Sequence, residues 1–61
     1  MNEYQLLHVL DDINTNNYGM QTFCNPVSKN EYITIENKTY IVIKVHHFPL
    51  FSNLYIKLIR F

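Results

Sequence analysis

Three histidines, a single cysteine and one pair of adjacent aspartates are the groups in this chain with chemistry to offer. Cys24 with His8 or His47 has the composition of a nucleophile and its base, and Asp11-Asp12 that of an acid and base pair. A catalytic thiol needs an electropositive, partly exposed pocket, and no pattern of residues here builds one. Paired aspartates in a polar stretch are better suited to capping a turn. For zinc, neighbouring His46 and His47 point to opposite sides of a strand, so only one of them can join a site, and neither Cys-x-x-Cys nor His-x₃-His spacing occurs. Gly19 is the one glycine, too few for a loop that cradles phosphate. The expectation is a protein without catalytic residues, metal or cofactor, and not an enzyme.

Two other groups of side chains suit binding. Lys44, Lys57 and Arg60, interleaved with Tyr40 and Tyr55, form a basic aromatic strip of the kind that holds single-stranded nucleic acid by stacking and phosphate contact. Five Lys plus Arg are balanced by five Asp plus Glu, so no overall field draws in a polyanion. Glu31 and Glu36 also fall on the neighbouring strand. Nucleic-acid binding through Lys44, Tyr55, Lys57 and Arg60 is therefore the second reading. The first rests on His46-His47-Phe48-Pro49-Leu50-Phe51, where Pro49 starts a loop that sets Phe48, Leu50 and Phe51 at the surface. Clustered aromatic groups dominate interface energetics. Phe48, Pro49, Leu50 and Phe51 are thus the candidate contact with an unidentified protein target, the alternative being that they fold back and plug the end of a barrel.

The elements that position these groups are strands. Glu31 to Ile35 and Tyr40 to Phe48 are β-branched runs joined by Glu36-Asn37-Lys38-Thr39, which predicts a hairpin. Asn37 is the residue expected at positive φ in its turn. Leu54 to Phe61 alternates Leu54, Ile56 and Leu58 with Tyr55 and Lys57 and predicts a further strand. Tyr4 to Leu10 reads as a strand, with an N-terminal helix to Ile13 as the alternative, because Leu6, Leu7, Leu10 and Ile13 also fit a helical face. Against that helix, Asp11 and Asp12 would stand at its negative end. A polar turn over residues 11–17 and a strand from Tyr18 to Cys24, with a bulge or bend at Gly19, complete the count. Residues 25–30 form a loop.

At 61 residues the chain is one domain, 1–61, and with Met1 in front it reads as a complete small open reading frame. A domain of this size buries only about 60% of its unfolded surface, so self-association would help it. The Tyr40 to Phe48 strand carries large apolar groups on both faces. A bulge at Ile43-Lys44 would turn Tyr40, Val42 and Val45 inward and leave Ile41 and Ile43 outward, where a second copy could cover them. A homodimer through Ile41 and Ile43 is the expectation. The lone thiol and the absence of a basic, apolar leader suggest the cytoplasm, and Lys44, His46, His47, Lys57 and Arg60 interrupt every stretch that could span a membrane.

In the order Pro26, Asn30-Glu31, Ile33 and Ile35, Asn37, Tyr40, Val42, Val45 and His47, then Ile56 and Leu58, residues 26–61 resemble the small SH3-like barrel modules of short phage and mobile-element proteins. Asn30 and Asn37 stand where those modules usually have glycine, and residues 1–25 fall outside the match. The resemblance implies a mainly β, five-stranded, partly open barrel. By analogy it implies a protein that inhibits or modulates a host protein, such as a defence or anti-CRISPR-type target.

Overall fold

The computed structural model describes residues 2–60, and for Arg60 the backbone alone. It contains five strands: β1 (Asn2–Val9), β2 (Thr15–Phe23), β3 (Tyr32–Ile35), β4 (Lys38–His47) and β5 (Ser52–Arg60). They form one sheet in the order β2-β1-β5-β4-β3. The pairs β1/β2, β3/β4 and β4/β5 are antiparallel, while β1 and β5 run parallel from Tyr4 opposite Ser52 to His8 opposite Ile56. Residues 2–9 are a strand, and the helical alternative for them is not realised. Among the described residues there is no helix that could cross a membrane.

Alternation explains the core. Tyr4, Leu6 and His8 of β1, Leu54 and Ile56 of β5, Tyr40 and Val42 of β4 and Ile33 of β3 are buried on one face, as period-two geometry requires. Val42, Leu54 and Ile56 have no exposure at all, and each such side chain is worth about 1.5–3 kcal/mol relative to solvent. The buried face is concave, and the sheet curls around it into a half-barrel, consistent with a small SH3-like β fold. The barrel stays open because no Cα of β2 comes within 8 Å of one in β3.

Bulges make the curvature. Ile43 is the extra residue between the pairs Val42–Ile56 and Lys44–Tyr55. This is the bulge expected from the sequence, and it places both Val42 and Val45 against the core. A second bulge lies in β2, where Leu6 pairs with Gly19 and Leu7 with Asn17, leaving Tyr18 unpaired. Gly19 sits there at φ 83 and its amide donates to Asn17 Oδ1 at 2.7 Å.

The turns follow from short polar side chains. Asp11 closes the β1–β2 connection: its carboxylate accepts the amides of Ile13 and Asn14, both at 2.8 Å, and the side-chain amide of Asn14 at 2.9 Å. These bonds hold its pKa below the usual aspartate value, the Asn14 side chain contributing most. Because that turn is tight, β2 begins at Thr15, earlier than its polar Asn-rich start suggests. Side chains of an edge strand that face solvent need not be apolar. Glu36 and Asn37, at φ 52 and 68, form a two-residue hairpin turn between Ile35 and Lys38, whose backbone twist suits the flanking strands. Asn30 is also left-handed, at φ 73, so both asparagines adopt the conformation for which glycine is the usual choice.

The connection over residues 24–31 carries the chain from the β2 edge to the β3 edge. Val27 is buried in the core, and its amide donates to the Tyr4 hydroxyl at 2.9 Å. Beyond it, the Asn30 amide donates to Val42 O at 2.7 Å and the Val42 amide to Glu31 O at 2.9 Å. These bonds lash the connection to β1 and β4.

Candidate functional site: the β4–β5 tip and the outer sheet face

Phe48, Pro49, Leu50 and Phe51 join β4 to β5 at one end of the half-barrel. The ladder runs into this tip: the Phe48 amide donates to Phe51 O at 2.8 Å, and one residue further in, His47 Nδ1 and Ser52 Oγ are 2.7 Å apart. The fixed φ of Pro49 stiffens the turn. His46 stacks on Phe48, with centroids 4.7 Å apart and rings 7° from parallel, and Phe48 stacks in turn on Phe51 at 5.2 Å. Three rings thus form a ladder along the hairpin. Phe51 is half-buried, Phe48 is 41% exposed and Leu50 is 88% exposed. Phe51 and Leu50 both border a depression of about 310 Å³ with Glu3, Tyr4 and Pro26, and most of Leu50 is open to solvent. The aromatic side chains stack on one another, and the leucine stands exposed in the turn between Phe48 and Phe51.

The outer, convex face of the sheet is a different surface. Ile41 and Ile43 are half-buried there, with Ile41 between Tyr32 and Lys57 in the register. Leu7 pairs with Tyr55, and Tyr55 with Lys44. The Lys44 ammonium lies 5.4 Å from the Tyr55 ring centroid. Lys57, exposed, follows two residues along β5. Lys44, Tyr55 and Lys57 are therefore brought together, as their spacing suggests, and next to the isoleucines. The side chain of Arg60 lies outside the described residues. Glu31 and Glu36 sit off this face: Glu31 precedes β3 and accepts the Ser28 amide, and Glu36 is in the β3–β4 turn.

One cluster escaped the sequence reading. His8 is buried at the end of the barrel opposite the tip, with Nδ1 2.7 Å from the Tyr18 hydroxyl and its ring edge-on to Tyr40 at 5.2 Å. The bulge in β2 is what lets Tyr18 reach inward. Burial raises the pKa of Tyr40, and the neighbouring Tyr18 phenol and the Glu36 carboxylate raise it further. The available signal was His8 on the same alternation as Tyr4 and Leu6. Cys24 is exposed in the loop after β2, while His8 and His47 spend their Nδ1 atoms on Tyr18 and Ser52. Among the described residues no three His, Cys, Asp or Glu side chains group to hold a metal ion.

No protein-family model matches this chain, and no curated protein or solved structure matches it either.

Proposed function

We propose that this chain is a small, non-enzymatic protein-binding module whose contact is the β4–β5 tip, and that it acts by occupying a recess on another protein and so inhibiting or modulating it. The observation that carries this reading is Leu50, 88% exposed in the turn flanked by the stacked rings of His46, Phe48 and Phe51. An exposed apolar group on a preordered support loses little conformational entropy on binding, which is where preorganised anchors gain affinity. The resemblance to small barrels of phage and mobile-element proteins supports a host protein as the target. Acid–base or nucleophilic chemistry finds no support in the same region, where His47 is engaged with Ser52 across the hairpin.

Seating Leu50 in an apolar recess is worth about 1.5–3 kcal/mol, or about ten- to hundredfold in affinity. The test is quantitative capture from a host lysate with the wild-type chain and with Leu50→Asp side by side. At least one protein should be retained by the first and lost with the second, with both melting at the same temperature. Identical capture profiles from the two chains would refute the assignment of the tip.

A further inference from the structure

We infer that the outer face around Lys44, Tyr55 and Lys57 is a second docking surface, fitted to an acidic segment of another protein with apolar side chains among its carboxylates. The net charge is zero, but its parts are segregated. Every carboxylate belongs to a strand start, a turn or a loop: Glu3 opens β1, Asp11 and Asp12 form the β1–β2 turn, Glu31 precedes β3 and Glu36 turns into β4. The outer positions of β4 and β5 and the stretch Gln5 to Val9 of β1 carry none. What they carry is Lys44 and Lys57 among Leu7, Ile41, Ile43 and Tyr55, all half-buried apolar groups. A cationic surface with apolar ground between its charges complements an acidic, apolar segment.

The two ammonium groups project from backbone positions one strand apart and two residues along, about 8 Å by strand geometry. Carboxylates two residues apart on an extended peptide are spaced by about 7 Å and can meet both.

The geometry disfavours the other occupants. Base stacking on a strand needs successive open aromatic faces. The Lys44 ammonium already lies over the Tyr55 ring, which leaves Tyr32, exposed beside Ile41, as one open ring without a second next to it. The β-branched Ile41 and Ile43 beside Tyr55 offer no flat surface for a base. A second copy laid face to face would bring Lys44 and Lys57 close to their own counterparts, and Glu3, the carboxylate in the outer row of β1, stands four residues from Leu7, about 13 Å along the strand.

The test uses the full chain and a fluorescent peptide of repeated Glu-Glu-Leu-Leu, with a control in which every Glu is Gln, an oligothymidylate, and sedimentation of the chain alone. Binding of the Glu peptide that falls with salt, is weakened about fivefold or more by Lys57→Glu or Lys44→Glu, and is unchanged by Leu50→Asp supports the inference. The last arm separates it from the tip. Equal binding of the Gln peptide, no binding of the Glu peptide, preferential retention of oligothymidylate, or a dimer dissolved by Ile41→Lys would each overturn it. Lys57 is exposed, so its variant should melt as the wild type does, and circular dichroism verifies this.

Discussion

Tyr4→Phe isolates the bond that fastens the loop over residues 24–31 across the half-barrel. The substitution keeps the ring, which packs edge-on against Phe23 at 5.7 Å, and deletes only the oxygen that accepts the Val27 amide at 2.9 Å. Val27 is buried, at 9% exposure, so its amide is left without its partner in a place water reaches poorly. A buried donor stranded in this way costs about 1–3 kcal/mol. For a domain of this size each kcal/mol moves Tm by about 4–8 °C. The expected result is therefore a clear fall in Tm in a reversible melt, with hydrogen exchange at the Val27 amide accelerated more than at Val42, whose amide bonds to Glu31 O independently. An unchanged Tm together with unchanged exchange at Val27 would show that the loop is held by apolar contact alone and would refute the reasoning.

Four further outcomes are expected. Glu36 carries a side chain at φ 52, a conformation that costs an ordinary residue about 1–2 kcal/mol; Glu36→Asn should raise Tm in a thermal melt by a few degrees. Gly19→Ala should lower it in the same assay because of φ 83 alone, since an added Cβ would meet no atom within 4 Å. Tyr40 ionises less readily folded than unfolded, so folding retains a proton that the unfolded chain releases. Stability therefore falls as pH rises past the ordinary phenol value, and pH-dependent denaturant melts of Tyr40→Phe should show a shallower alkaline loss. Asp11 is shifted the opposite way: its contribution is present above the ordinary aspartate value and lost as pH falls through the lowered one, a dependence that Asp11→Ala should remove from acid melts.

The strands from Tyr32 onward were legible because β-branched runs and polar turns mark them without competition. The Ile43 bulge was legible too, since it is the one device that lets Tyr40, Val42 and Val45 share a core while Ile41 and Ile43 stay out. Residues 2–9 carried two periodicities at once. The burial of Tyr4 and His8 together with Leu6 decides for the strand, and that burial exists only once β5 lies alongside. The parallel β1/β5 pair left no local mark, because it depends on the loop over residues 24–31 crossing the barrel, and that depends on a hydroxyl 23 residues away from the amide it receives. The pairing of His8 with Tyr18 was hidden for a related reason: a bulge changes which residues meet, and nothing in Asn16-Asn17-Tyr18-Gly19 fixes its place except the glycine.

The candidate contacts are separated by the fold in a way that bears on how they would act. The tip lies at the β4–β5 hairpin, where Pro49 and Leu50 extend beyond the last ladder bond, whereas Lys44, Tyr55 and Lys57 lie on the convex side of the same two strands. Because β4 and β5 pair along their length and carry the three fully buried side chains Val42, Leu54 and Ile56, both surfaces rest on one pair of strands anchored in the core. A partner that met both would bind them without paying for their relative order, so tip and face variants combined in one chain should lose more affinity than either alone, by roughly the product of the two factors. Simple multiplication would mean that one partner spans both. If the double variant were no weaker than Leu50→Asp, the acidic segment would belong to a different molecule from the one that receives the tip.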